Sequence, residues 1–199
     1  MRHFATALAV VFVPMLFIVL QKETGSALVY LSFFLMFYRE GMPGSVLFTG
    51  VAMVIYFVVG IRFEEVMLMD TPTSVGKFVV LLLVQIFTAG MVYIYCKARR
   101  EAWLILGYSL GITVLSLLFS EYVIPFDVVW VQIILTIILC LWLLWNGLGS
   151  RIKNYYYILI FTIGSVLFFY SADYVLNNVL EPHQRVRINV LLGLDEDLA

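Results

Sequence analysis

Two short polar segments of an otherwise apolar chain contain the residue types that suit chemistry. The first reads Gln-Lys-Glu-Thr-Gly-Ser-Ala over residues 21–27, and the second lies within residues 181–199. The candidate residues of the second segment are Gln184, Arg185, Arg187, Asp195 and Asp197. Forked guanidinium groups suit a phosphate, and closely spaced carboxylates suit a general base or a divalent metal. On composition alone, a capped turn and a solvated loop with interfacial arginines are the alternative interpretation.

The composition defines the solvent in which the chain folds. Of its 199 residues, 63% are hydrophobic and 13% are charged, whereas a soluble domain has about 25% charged residues. A water-soluble fold of this length cannot hide so much apolar surface, so we expect an all-α polytopic membrane protein. No basic patch with interleaved aromatic residues is present, which argues against a nucleic-acid partner. Cys96 and Cys140 lie in apolar runs and predict neither a disulfide framework nor a metal motif.

Seven apolar stretches approach or reach the length of about 20 residues that a transmembrane helix needs. They are residues 4–21, 24–38, 41–61, 78–96, 102–120, 128–150 and 154–176. We therefore expect a transmembrane helical bundle over residues 1–180, followed by the start of an extracytoplasmic loop at 181–199.

The charges between these stretches predict their orientation. If the N-terminus is cytoplasmic, the basic clusters at 97–100 and 151–153 lie inside, and the loop at 121–127, which contains acids and no base, lies outside. This arrangement agrees with the positive-inside rule. It places residues 21–25 and 181–199 together on the extracytoplasmic side.

Three further residues suggest specific roles within the spans. Asp173 is a carboxylate near the outer end of an apolar stretch, which indicates a functional residue, or one whose side chain reaches the water at the interface. Gly107 and Gly111 have the Gly-x-x-x-Gly spacing that suits a close contact between helices.

Read together, the two polar segments resemble the SEDS family of bacterial cell-shape and division proteins, most closely its rod-shape branch. That family has a Gln-Pro-Asp-x-Gly-[Ser/Thr]-[Ala/Ser] motif, which residues 21–27 resemble with Lys22 and Glu23 in place of proline and aspartate. It also has a Tyr/His-Gln-Arg-x-Arg element and then an Asp-Pro-x-Gly-Ala-Gly-Tyr stretch. Residues 183–187 are similar to the element, and residues 197–199 are similar to the beginning of the stretch.

The resemblance implies peptidoglycan glycosyltransfer from lipid II, an undecaprenyl-pyrophosphate disaccharide-pentapeptide. It implies that Asp197 is the general base or a metal-binding carboxylate, with Asp195 as the fallback, and that a divalent cation such as Mg²⁺ or Mn²⁺ takes part. The substrate-binding residues that it implies are Gln21, Glu23, Gln184, Arg185 and Arg187. The implied partners are a class B penicillin-binding protein and other membrane proteins of the elongation machinery, in the bacterial cytoplasmic membrane.

The chain also departs from the family pattern. Only one span is predicted before the first motif, and five spans lie between Gly41 and Glu181, where the family has one long helix. The resemblance therefore implies an internal segment of a longer protein, inactive on its own. Two other functions stay open: a lipid II flippase or transporter, and a membrane scaffold without catalytic activity that only docks a partner.

Overall fold

The computed structural model describes residues 39, 44–64, 66–68, 71–150 and 152–174. This part of the chain contains five helices that are long and apolar enough to cross a bilayer. They are α1 (Gly44–Arg62), α2 (Val75–Tyr95), α3 (Arg99–Tyr122), α4 (Val129–Ser150) and α5 (Lys153–Tyr174). The shortest has 19 residues and the longest 24, so at the α-helical rise they are about 28 and 36 Å long. An all-helical, multi-pass membrane fold is confirmed for the described residues.

The helices agree with the last five predicted spans, with differences of a few residues at their ends. Helices α2 and α3 begin before the predicted residues 78 and 102, because Lys77, Arg99 and Arg100 lie inside the first turn. Long basic side chains at a helix end extend towards the interface, so a charge does not end the helix. The predicted spans 4–21 and 24–38 and the segment 181–199 lie outside the described residues.

The chain divides into two compact units between Ala52 and Met53, and the contacts described below lie within the second unit, Met53–Ala199. Helix α2 is its most buried helix and packs against α3, α4 and α5. Its buried face contains apolar side chains such as Leu81 and Val84, together with Gln85 and Thr88. Large apolar side chains on the other helices are exposed in the protein alone, as expected for surfaces that face lipid.

A short hairpin-like loop joins α1 to α2. Leu68 N donates to Thr73 O at 2.8 Å, and Val75 N donates to Val66 O at 2.8 Å. The loop holds the end of α1 against the start of α2 so closely that a Cβ atom on Gly76 would lie 2.5 Å from the carbonyl oxygen of Gly60. Position 76 therefore requires glycine.

Two sets of contacts show which connections share an end of the bundle. Val128 N donates to Thr73 Oγ1 at 2.9 Å, which joins the α3–α4 connection to the α1–α2 loop. At the opposite end, Asn154 Nδ2 donates to Tyr95 O at 2.6 Å, which joins the start of α5 to the α2–α3 turn. We call the first the acidic end, after Glu64, Glu121, Asp127 and Asp173, and the second the basic end, after Lys97, Arg99, Arg100 and Lys153.

Candidate functional site

A cluster of hydrogen-bonded polar side chains lies inside the bundle, where α2, α3 and α4 meet. Gln85 Nε2 donates to Gln132 Oε1 at 2.7 Å and lies 3.2 Å from Thr136 Oγ1. Gln132 Nε2 in turn donates to Thr113 Oγ1 at 2.7 Å. Both glutamines are 0% exposed. We call Gln85, Thr113, Gln132 and Thr136 the glutamine cluster.

The cluster lies deep in the membrane-spanning region. Gln85 is in the middle of α2, about 15 Å along the axis from the helix start at Val75. An amide facing hydrocarbon at that depth would leave its donors and acceptors unsatisfied, so it must find its partners inside the protein. The bonds to Gln132 and Thr136 supply them, and they hold the rotation of α2 relative to α4.

The chemistry open to the glutamine cluster follows from its groups. Amides and hydroxyls donate and accept hydrogen bonds but do not exchange protons readily at neutral pH. The Oε1 atom of Gln85 is buried without a hydrogen-bond partner among the described residues, so one acceptor is open. This arrangement can align helices and bind a polar group, and it contains no general acid or base.

A second polar contact joins α2 to α5. Thr88 Oγ1 and Thr162 Oγ1 lie 2.9 Å apart, and both residues are fully buried. Thr88 Oγ1 also lies 2.7 Å from Val84 O in its own helix. Because Thr88 is about one helical turn beyond Gln85, α2 is held by polar contacts to α4 and α5 at neighbouring depths.

An ion pair at the acidic end joins the start of α2 to the end of α5. Lys77 Nζ lies 3.5 Å from Asp173 Oδ2, and the two side chains are 33% and 19% exposed. Asp173 also lines a small cleft between α1 and α5, next to Gly60 and Glu64. The predicted functional role of Asp173 stays a prediction, but its carboxylate has a cationic partner within the protein.

All the site residues predicted in the two polar segments lie outside the described residues. They are Gln21, Glu23, Gln184, Arg185, Arg187, Asp195 and Asp197. Their roles stay predictions. Among the residues that the structure describes, no group of three or more His, Cys, Asp or Glu side chains is arranged to hold a metal ion.

The structure bears on two smaller expectations from the sequence. Cys96 and Cys140 are both free thiols, as their positions in apolar runs predict. The close helix contact expected at Gly107 and Gly111 is not found between the described helices, because an added Cβ atom would meet nothing within 4 Å at either position. Helix α3 instead buries a line of hydroxyl side chains, and we did not predict this line from the sequence. The buried hydroxyl residues are Ser109, Thr113, Ser116 and Ser120.

No protein-family model, curated protein or solved structure matches this chain. The class of the protein therefore rests on its own helices. In the described part of the chain, five membrane-length helices, three of which enclose a buried amide and hydroxyl cluster, define a multi-pass membrane protein with a polar interior.

Proposed function

We propose that the chain is part of a SEDS-type peptidoglycan glycosyltransferase of the rod-shape (RodA-like) branch, which polymerises lipid II. The proposal rests on the two sequence motifs at residues 21–27 and 183–187 and on the acids at 195–197. The observation that carries it is the number of membrane-length helices in this part of the chain: five described helices lie between residues 44 and 174. Together with the predicted span 24–38 they would make six crossings, an even number, which supports the proposal that both motifs lie on one side of the membrane.

The charges support an extracytoplasmic location for that side. The basic end has Lys97, Arg99, Arg100 and Lys153, which the positive-inside rule assigns to the cytoplasm. The acidic end, where α5 ends at Tyr174, is then extracytoplasmic. The segment 181–199 follows α5 and would meet the pyrophosphate and sugars of lipid II in the outer leaflet.

The proposed chemistry is one displacement at an anomeric carbon. The carboxylate of Asp197, or of Asp195 as the fallback, takes the proton of an acceptor sugar hydroxyl. As the proton leaves, the hydroxyl oxygen bonds to the anomeric carbon of the donor chain. The bond from that carbon to the pyrophosphate oxygen breaks, and its electron pair leaves with undecaprenyl pyrophosphate. Arg185 and Arg187 stabilise the charge that develops on the leaving group. A divalent cation such as Mg²⁺ or Mn²⁺, when bound, would neutralise part of the same charge.

The other predicted residues and the helices have supporting roles in this proposal. Gln184 lies beside the arginines in the sequence, and Gln21 and Glu23 belong to the motif on the same side of the membrane. The glutamine cluster and the Lys77–Asp173 pair fix the helices that connect the two motifs. Proposed protein partners are a class B penicillin-binding protein, which crosslinks the new glycan, and other membrane proteins of the elongation machinery.

The test is polymerisation of labelled lipid II in proteoliposomes by the gene product that contains this chain, together with its class B penicillin-binding protein. We expect Asp197→Ala to reduce glycan formation by about 10²- to 10⁴-fold, because the base is lost. The matched control is Glu196→Gln, which removes a neighbouring charge and should retain activity. Full activity in both Asp197→Ala and Asp195→Ala would refute the assignment of the base.

A second candidate function is a lipid II transporter, which the polar interior of the bundle favours. The glutamine cluster gives α2, α3 and α4 a buried hydrophilic contact. The same proteoliposomes separate the two functions, because a transporter would move lipid II across the bilayer without forming polymer. A scaffold would bind the penicillin-binding protein and do neither.

A further inference from the structure

The basic end of the bundle brings together two turns that are far apart in the sequence. The bond from Asn154 Nδ2 to Tyr95 O places the start of α5 beside the α2–α3 turn. Lys153 directly precedes Asn154, and Lys97, Arg99 and Arg100 follow Tyr95 within five residues, so the bond brings all four cations to the same end of the bundle. All four side chains are exposed. Within the described part of the chain, no carboxylate forms an ion pair with any of these four cations.

The backbone of the α2–α3 turn is strained at one of these cations. Lys97 has a φ of 54°, in the left-handed region that costs an L-residue about 1–2 kcal/mol. It follows Cys96, the C-cap residue just after α2, at the position where helices most often have glycine. A lysine therefore stands where the backbone favours glycine, which points to a function for its side chain.

The two arginines add to the unfavourable electrostatics of the same turn. Arg99 and Arg100 are the first two residues of α3, and Ala98 before them offers no side-chain cap. Cations at the positive end of a helix dipole are destabilising, and Glu101 is the one acid in this first turn. An anion bound between the cations would offset both the repulsion and the strain.

Exposed aromatic side chains accompany the cations at the basic end. The guanidinium carbon of Arg99 lies 5.6 Å from the ring centre of Tyr93. Trp103 lies one helical turn beyond Arg99, and Tyr157 one turn beyond Lys153; both are exposed. Exposed tryptophan and tyrosine are typical of the headgroup level of a bilayer. The cations therefore lie where lipid phosphates are found.

We propose that the basic end binds the headgroup of an anionic phospholipid of the phosphatidylglycerol type. Lys97, Arg99, Arg100 and Lys153 contact the phosphodiester, and the aromatic side chains lie along the glycerol and the upper acyl chain. Basic residues near a membrane surface attract anionic lipid in this way. The proposal concerns the end of the bundle away from the proposed glycosyltransfer site and does not depend on that activity.

The experiment compares lipid retention by the purified full chain in detergent with added phosphatidylglycerol or phosphatidylcholine, measured by native mass spectrometry. We expect the wild-type chain to prefer phosphatidylglycerol, more strongly at low ionic strength. Arg99→Gln with Arg100→Gln should reduce that preference about tenfold, and Arg99→Lys with Arg100→Lys should retain most of it, because charge is kept. The control pair with the same loss of charge, Arg62→Gln with Lys77→Gln, lies at the acidic end and should leave the preference unchanged.

One further variant separates binding from folding. Lys97→Gly removes a cation and also relieves the strained backbone, so we expect its melting temperature to rise by about 2–4 °C while its lipid preference falls. Equal retention of the two lipids by the wild-type chain would overturn the proposal. So would an equal loss in the variants of both ends, an undiminished preference in Lys97→Gly, or displacement of the lipid by millimolar inorganic phosphate, which would indicate a site for free phosphate.

Discussion

Lys77 Nζ lies 3.5 Å from Asp173 Oδ2, and each of the two residues is at the end of its helix that disfavours its charge. Lys77 is in the first turn of α2, at the positive end of the dipole, and Asp173 is in the last turn of α5, at the negative end. Each side chain compensates the other across the contact between α2 and α5. The pair therefore joins two helices that are distant in the sequence.

Breaking this pair should weaken the contact between α2 and α5. We expect Lys77→Gln to lower the free energy of unfolding by about 1 kcal/mol, because the partly buried Asp173 at the negative end of α5 then loses the attraction of the Lys77 ammonium group. A double-mutant cycle with Asp173→Asn should give a coupling of about 0.5–1 kcal/mol. The measurement is unfolding in mixed micelles titrated with denaturing detergent. The exposed Glu121→Gln provides the control, and a coupling of zero would show that the pair contributes nothing.

The glutamine cluster gives a second prediction. Gln85→Leu keeps the approximate size of the side chain but removes the bonds to Gln132 and Thr136. Because bonds between transmembrane helices contribute about 0.6 kcal/mol each, we expect a loss of about 1–2 kcal/mol. Gln85→Leu combined with Gln132→Leu should lower the free energy of unfolding by less than the sum of the two single changes. In the double variant neither amide of the Gln85–Gln132 contact remains, so none is left unpaired.

The same detergent titration measures these variants. Thr136→Val is a milder matched change in the same cluster, because it removes one hydroxyl and keeps the shape. Single glutamine variants that unfold like the wild-type chain would show that the cluster is not a source of stability. Strict additivity of the two leucine substitutions would show that Gln85 and Gln132 act separately.

The described helices could be predicted from charge-free runs because a bilayer core sets their length. Their ends differed where charged residues lie inside the helix, as Lys77 does in α2. The glutamine cluster could not be predicted from one sequence, since the pairing of Gln85 with Gln132 depends on the rotation of α2 and α4 about their axes. For the same reason the spacing of Gly107 and Gly111 did not show which face of α3 packs against the described helices.

Two kinds of glycine in the bundle should respond oppositely to alanine. A Cβ atom on Gly76 would lie 2.5 Å from Gly60 O and 3.0 Å from the carbonyl carbon of Phe63. These are backbone atoms that cannot move without separating α1 from α2, so we expect Gly76→Ala to cost about 1–3 kcal/mol. Gly107→Ala is the control, because nothing lies within 4 Å of its added Cβ atom and alanine favours the helix by about 1 kcal/mol.

Thermal unfolding of the two variants in the same detergent tests this difference. We expect the Gly76→Ala midpoint to fall and the Gly107→Ala midpoint to stay or rise. A loss of stability in Gly107→Ala would indicate that another part of the protein or a partner packs against that face of α3. A neutral Gly76→Ala would contradict the close approach of α1 and α2.

The proposed orientation predicts which residues can be reached from outside the cell. In a chain with Cys96→Ser and Cys140→Ser, a cysteine introduced by Glu121→Cys should react with a membrane-impermeant maleimide in intact cells, because it lies at the acidic end. One introduced by Arg100→Cys should react only after permeabilisation, because it lies at the basic end, which the positive-inside rule assigns to the cytoplasm. Both native side chains are exposed, so any difference in labelling reports the side of the membrane and not burial.

A third cysteine, introduced by Asn189→Cys, tests whether the two motifs can act at one surface. It lies in the segment after α5, and the number of crossings predicts that it is labelled together with Glu121→Cys in intact cells. A cysteine introduced by Thr24→Cys should behave in the same way if residues 24–38 cross the membrane once. If Asn189→Cys and Thr24→Cys are labelled from opposite sides, the motifs cannot form one site, and the glycosyltransferase proposal fails whatever the side of the acidic end.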